Sequence, residues 1–251
     1  MNAVNISQSR PAGPLAVNVR ARQVVVLLGV AIAAAWMMLL GAPAPSASAQ
    51  PCPDVEVIFA RGTGESPGVG GVGQAFVDSL RSQVGGRSVG VYGVNYPASG
   101  DFEAGVDFAK TVVDGIRDEV AHVESMAANC PNTKGVLGGY SQGAVVTGFV
   151  TSDAVPAGVP AASVPEPMSP KVADHIAAVV LLGKPSDEFM RHYGAPAIAI
   201  GPLYSPKTIE LCAPGDTICS GAPDGGPNVA HVLYPVNGMV GQSAAFAASR
   251  L

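Results

Sequence analysis

Between Lys134 and Val150 the chain reads KGVLGGYSQGAVVTGFV, with apolar runs on both sides of Gly139-Tyr140-Ser141-Gln142-Gly143. The leading KGVLGG suits a buried strand and the trailing AVVTGFV the start of a helix, so the residues between must reverse the chain sharply. Glycines on both sides of the serine remove side chains that would collide with neighbouring elements at such a turn. A strand feeding straight into a helix over a tight turn belongs to a sheet flanked by helices, and it lifts the serine hydroxyl above the sheet edge. An ordinary turn accounts for the glycines alone. A nucleophile elbow accounts for the glycines, the serine and both apolar flanks, and the amide after the serine then faces the same space beside a helix dipole.

The rest of the chain fits that architecture. VEVIFARG (55–62) and SVGVYGVNYP (88–97) read as strands, with a Gly-rich loop and a helix over QAFVDSLRSQV between them. From Phe102 to Met126 apolar residues recur at 106, 109, 113, 116, 120 and 123, one apolar helical stripe. HIAAVVLLG (175–183) is a continuous apolar run, as expected of a central parallel strand covered on both faces. KTIELC is a candidate last strand and GQSAAFAASRL a closing helix. The expected fold is therefore α/β, a three-layer sandwich with a central, mainly parallel sheet. The Pro-rich stretch VPAGVPAASVPEPMSP (155–170) has no period; it reads as a surface excursion within one domain.

The first 49 residues differ in kind. Arg10, Arg20 and Arg22 precede an apolar run from Val24 to Leu40, and APAPSASAQ follows. A basic flank, a hydrophobic core and the small residues Ala47 and Ala49 predict a signal peptide over 1–49, cleaved before Gln50, and a mature domain over 50–251. The rival is an uncleaved anchor, because the run is at the lower edge of membrane-spanning length. All 19 acidic residues and eleven of the 14 basic ones fall in the mature part, a net charge of −8. An acidic surface without a basic cluster argues against nucleic acid as a partner.

All four cysteines, Cys52, Cys130, Cys212 and Cys219, also lie in the mature part. An even count in an oxidising compartment predicts two disulfides. A zinc site would want two-residue spacing or accompanying histidines, so no metal is expected. Of the three pairings, the short Cys212–Cys219 separation favours that pair and leaves Cys52 with Cys130.

A serine hydroxyl needs a base, and the base an orienting acid. His122 lies on the long helix ahead of Ser141, and His175 opens a strand. His192 follows SDEFMR, and His231 sits in PNVAHVLYP near the C-terminus, where it could reach back over the sheet. The order nucleophile, acid, histidine leaves two pairs: Asp187 with His192, or Asp216 with His231. Asp216 occupies CAPGDTIC, a tight loop bounded by Cys212 and Cys219 that would hold a carboxylate still, although PGD is also ordinary turn chemistry.

GVGGVG, with Gly68, Gly70 and Gly73, fits a dinucleotide-binding pattern behind a strand and ahead of a helix. Such a site wants an acid ending the second strand, and that strand ends GVNYP, with Asn95 and no carboxylate. A substrate-rim loop is the better reading, and no cofactor is expected.

Four motifs taken together, ARGTGES after the first strand, GGYSQGA at the elbow, CAPGDTIC and then AHVLY, resemble the cutinase family, and within it the cutinase-like secreted esterases of mycobacteria. The resemblance runs from Cys52 to about Tyr234. It implies a cutinase-like α/β-hydrolase fold, Ser141 as nucleophile, Asp216 as acid and His231 as base. It further implies oxyanion donors at Thr63 and Gln142, and the disulfides Cys52–Cys130 and Cys212–Cys219. The 155–170 excursion is more Pro-rich than in the fungal members, and the family name does not set the substrate. The implied function is a secreted serine esterase without cofactor, acting on esters with short or medium, lipid-like acyl chains. It is expected to be a monomer in contact with a membrane or cell-wall surface. Lipase, phospholipase or thioesterase chemistry on the same triad is the near alternative; a catalytically idle wall or antigen-type binding protein is the distant one.

Overall fold

The computed structural model describes residues 51–222 and 225–251. The expected signal segment over 1–49 lies outside the described residues. Among those described, no helix is long and apolar enough to cross a membrane.

Five strands form one sheet in the order β2-β1-β3-β4-β5, with every neighbouring pair parallel. They are β1 (Val55–Ala60), β2 (Val89–Gly93), β3 (Lys134–Tyr140), β4 (Ile176–Leu182) and β5 (Thr208–Leu211). Parallel neighbours need crossovers, and helices supply them. α1 (Gly70–Gln83) joins β1 to β2, and α2 (Val106–Asn129) joins β2 to β3. α3 (Gln142–Val150) and the short α4 (Pro170–Ala173) lead to β4, and α5 (Asp187–His192) lies between β4 and β5. α6 (Val229–Val232) and α7 (Met239–Ala248) close the chain. The chain steps outward from β1 to β2, then returns to place β3 on the other side of β1. The crevice above the C-terminal ends of β1 and β3 is thus a switch point, where open parallel sheets bind ligands.

Side-chain alternation divides the core into two layers. Ile58, Leu137, Val179 and Leu181 pack with Ile116, Val120 and Val146 of α2 and α3. Val57, Phe59, Val136 and Val180 face Phe76 and Leu80 of α1 and Val240 and Ala244 of α7. The apolar stripe of α2 is only half used in this way: Ile116, Val120 and Val123 are buried, whereas Val106 is 73% exposed.

α1 starts at Gly70, ahead of the helix expected from Gln74. The cause is Glu65, whose carboxylate accepts from the first-turn amides of Gly71 (2.8 Å) and Val72 (3.3 Å), and also from the Gly62 amide (2.7 Å). Gly70 has φ +69°, and a Cβ there would collide with that carboxylate. A Cβ at Gly73 would come 2.6 Å from the Phe59 ring. Gly70 and Gly73 of the dinucleotide-like motif therefore admit an internal carboxylate and a strand side chain, at the helix terminus a pyrophosphate would otherwise use.

Candidate active site

The end of β3 sets the site. Ser141 has φ +55° and ψ −119°, a conformation that costs an L-residue energy and persists only where the surroundings enforce it. Both flanking glycines are forced by contact: a Cβ on Gly139 would overlap the Gly143 carbonyl, and one on Gly143 would overlap the Ala60 carbonyl of β1. The Ser141 amide donates to Leu182 O of β4 at 2.9 Å, which anchors the turn to the sheet. Gln142 is the first residue of α3, so its backbone N–H has no intrahelical acceptor.

His231 reaches that serine from α6. Its Nε2 lies 2.8 Å from Ser141 Oγ, and its Nδ1 lies 2.9 Å from Asp216 Oδ2. Asn228 caps α6 by accepting from the His231 amide at 3.1 Å, and the Tyr140 hydroxyl donates to the His231 carbonyl at 2.6 Å. The imidazole-bearing turn is thus fixed from both sides. Gly183, with φ +55°, leaves room beside it; a Cβ there would stand 3.1 Å from both His231 Cε1 and the Tyr234 hydroxyl.

Asp216 is fully buried in the loop that follows β5. The Cys212–Cys219 disulfide spans the loop with a Cα–Cα distance of 5.7 Å, and the Asp216 amide donates to Ala213 O at 2.9 Å. Asp216 Oδ1 accepts from the Ile218 amide at 3.0 Å, and Oδ2 also accepts from the Tyr234 hydroxyl at 2.8 Å. Burial raises the pKa of that hydroxyl, as does its bond to Asp216, so it stays a donor. The bonds from Ile218 to Oδ1 and from Tyr234 to Oδ2 fix the carboxylate with Oδ2 on the imidazole. Cys52 and Cys130 form the other disulfide, tying the start of β1 to the end of α2.

The facing lip carries Thr63, held by a second polar network. Arg61 is 5% exposed and donates to three carbonyls: Glu65 (3.0 Å), Val94 (3.4 Å) and Tyr96 (2.5 Å). The Tyr96 hydroxyl returns a bond to Arg61 O. Gly64 N donates to Ala98 O at 2.9 Å, and the Gln142 side-chain Nε2 donates to Ser99 O at 3.0 Å. The elbow and the Thr63 lip are therefore linked through the 96–100 loop.

Of the candidates in the sequence, the structure brings together Ser141, Asp216, His231, Thr63 and Gln142. It sets the others apart. Asp187 and His192 sit at opposite ends of α5, both exposed, and the imidazole bonded to Ser141 is that of His231. His122 stacks on Tyr92 at 3.5 Å between centroids. Residues that sequence reasoning passed over are Tyr140, Tyr234, Arg61, Glu65 and the side chain of Gln142. Tyr140 and Tyr234 lay inside motifs already singled out, one and three residues from the triad positions. Nothing local distinguishes a phenol that supports a loop from one that packs.

Such an arrangement can deprotonate a hydroxyl, stabilise the resulting imidazolium and offer amide donors to an oxyanion. Comparison with known proteins gives the family. The sequence model of the Cutinase family matches residues 51–251. The chain is 65% identical over 170 residues to the probable carboxylesterase Culp7 of Mycobacterium tuberculosis, covering 68% of this chain and 89% of that protein. It is 50% identical over 234 residues to the carboxylesterase Culp1 of the same species, covering 92% and 97%. Among solved structures it is similar to Trichoderma reesei cutinase in complex with a phosphonate inhibitor, with a TM-score of 0.58, 35% identity and coverage of 79% and 77%.

Proposed function

The chain belongs to the cutinase family and is a carboxylic ester hydrolase, and on that premise we propose that Ser141, His231 and Asp216 carry its chemistry as nucleophile, base and orienting acid. The observation that supports this is the continuous relay from Ser141 Oγ through His231 to Asp216, at 2.8 and 2.9 Å. Ser141 Oγ attacks the ester carbonyl carbon while its proton passes to His231 Nε2. The oxyanion is met by the Gln142 amide and by the amide and hydroxyl of Thr63. As the C–O bond breaks, the imidazolium returns the proton to the departing alcohol and leaves an acyl-serine. Water then repeats the sequence: His231 takes its proton, hydroxyl adds to the acyl carbon, and serine leaves with the proton. Asp216 remains ionised throughout, bonded to Nδ1 and stabilising the imidazolium.

The protein acts outside the cytoplasm after removal of residues 1–49. Two disulfides suit an oxidising compartment. The secreted form should begin at Gln50 and, lacking Trp36, show tyrosine-only fluorescence; an intact mass that retains residues 1–49 would point to an anchor instead.

A fluorophosphonate probe tests the assignment. It should label the wild type at Ser141 and should not label Ser141→Ala, whose kcat should fall by on the order of 10⁶. His231→Ala should be nearly as damaging and His192→Ala mild. The reverse ranking would transfer the base to His192 and the acid to Asp187.

A further inference from the structure

Two features that cost stability lie next to each other beside the reaction centre. Among the described residues, only two other than glycine have positive φ. One is Ser141 at +55°, which the elbow explains; the other is Ala98 at +50°, in the loop between β2 and α2. An L-residue in that region carries a steric cost and is kept where its surroundings over-determine it. The second feature is the side chain of Gln142. The residue is 4% exposed; its Nε2 donates to Ser99 O at 3.0 Å, and its Oε1 is buried with no protein partner.

Neither feature favours the fold. Glycine at position 98 would adopt the same φ without the steric cost. A buried amide with one atom bonded and the other orphaned stabilises less than an apolar side chain of equal size, because the orphan's lost hydration outweighs one net hydrogen bond. Local rules broken side by side, with no gain in stability to compensate, point to a functional constraint.

The constraint is visible in what the loop joins. The ladder between β1 and β3 ends at Ala60 and Gly139, so beyond it the spacing of Thr63 and Gln142 depends on whatever bridges them. Ala98 and Ser99 supply successive carbonyls to the two sides. Ala98 O accepts from the Gly64 amide at 2.9 Å, next to Thr63, and Ser99 O accepts from the Gln142 side chain. A Cβ on Gly100 would stand 3.5 Å from Thr63 Cγ2, so the loop also lies against the threonine side chain. Arg61 holds the Tyr96 carbonyl at 2.5 Å, and the chain turns at Ala98 between that anchor and the elbow. Thr63, Ser141, Gln142 and His231 line one cavity, which continues between α2 and the Pro-rich wall of 155–167.

We propose that the Gln142 side chain is a positioning group: its amide clamps the 98–100 loop to the elbow and so sets the spacing of the Thr63 and Gln142 donors around the oxyanion. The proposal rests on the reading of those two residues as oxyanion donors and adds what holds them in register. The Gln142 backbone amide touches the oxyanion, whereas its side chain acts through Thr63.

The test measures activity and stability together in Gln142→Met, which keeps the volume and the backbone amide and removes the clamp. kcat on a soluble nitrophenyl ester is normalised to the fraction of protein that a fluorophosphonate labels at Ser141. It should fall about tenfold or more, since a displacement near 1 Å at a reaction centre costs around 10² in rate. KM should stay within about twofold, because the oxyanion is absent from the ground state. The melting temperature should hold or rise, since the orphaned Oε1 is removed with the amide. Gln142→Leu is a second variant with the same expected outcome. In a double variant with Thr63→Val, Gln142→Met should cost less than it does alone, because the donor it positions is already gone. Wild-type kcat in a folded Gln142→Met or Gln142→Leu would overturn the clamp, while a lowered kcat in Thr63→Val alone would keep the oxyanion reading. A sharp fall in melting temperature in both Gln142 variants would make the amide a structural tie and overturn the clamp. So would independent effects in the double variant. Full kcat in Thr63→Val would overturn the oxyanion reading, and the clamp with it.

Discussion

The hydroxyl of Tyr234 donates to Oδ2 of Asp216 at 2.8 Å, the same oxygen that faces His231 Nδ1 at 2.9 Å. Tyr234 also accepts from the Ala213 amide at 2.9 Å and sits 3.5 Å from Cys219 Sγ. One fully buried phenol therefore joins the disulfide loop to the orienting carboxylate. It competes with the imidazole for charge on that oxygen, which tempers how strongly Asp216 stabilises the imidazolium.

Tyr234→Phe removes the competitor and leaves the Ala213 amide without its acceptor. The carboxylate, with one donor fewer, is held less firmly against the imidazole. kcat at neutral pH should fall by about tenfold, the scale of one hydrogen bond to a charged group. A purely structural role for Tyr234 would lower the melting temperature and leave kcat in place in the protein that stays folded.

Thr63→Val tests the other side of the reaction centre. It deletes a hydroxyl at nearly constant volume, and a single oxyanion donor is worth about 10²–10³ in rate. kcat should fall with little change in KM. Turnover that keeps its kcat while KM rises would make Thr63 a substrate-binding residue.

The parallel sheet and the elbow were legible because each is written in contiguous residues. The continuous apolar run that became β4 and the Gly139–Gly143 turn carry their own constraints. The contact of Asp216 with His231 was legible only through the cysteine-bounded loop and the pattern of motifs, because it joins β5's loop to α6 and no local spacing encodes it. The stripe on α2 reads in the sequence as one apolar helical face. In the structure its C-terminal half packs on the sheet and its N-terminal half lines a cavity, a division set by where α3 and the Pro-rich wall end. The glycines at 68–73 matched a nucleotide pattern because a carboxylate at a helix N-terminus imposes much the same demands as a phosphate, and here the carboxylate is Glu65.

Glu119 offers a pH test. It is fully buried on α2; Thr147 Oγ1 lies 3.0 Å from its Oε2 and 3.0 Å from Gly138 O, and the threonine has one proton for two acceptors. Desolvation drives the Glu119 pKa well above its ordinary 4.5, opposed by the Thr147 bond and reinforced by Asp118. The folded chain thus holds a proton that the unfolded chain gives up above pH 4.5, so this group's contribution to stability is full below that pH and declines as pH rises towards the folded value. Glu119→Gln keeps the shape and a donor while removing the titration. Its urea stability should depend less on pH between 5 and 8 and exceed wild type at the upper end. Parallel pH profiles for the two proteins would exclude a neutral Glu119.

The two disulfides should separate stability from positioning. By loop entropy, Cys52–Cys130, 78 residues apart, contributes about 4.5 kcal/mol. Cys212–Cys219, only seven apart, contributes about 2.5 kcal/mol on the same scale. The small loop, however, is where Asp216 meets His231 and Tyr234, and a displacement near 1 Å at a reaction centre can cost around 10² in rate. Replacing Cys212 and Cys219 by serine should depress kcat well below the melting point, with the bulk fold intact by circular dichroism. Replacing Cys52 and Cys130 should lower the melting temperature further and spare kcat in the protein that stays folded, because that bond ties β1 to α2 far from the imidazole. A folded Cys212/Cys219 double variant with wild-type kcat would show that the Ala213 carbonyl, the Ile218 amide and the Tyr234 hydroxyl hold Asp216 without help from the disulfide.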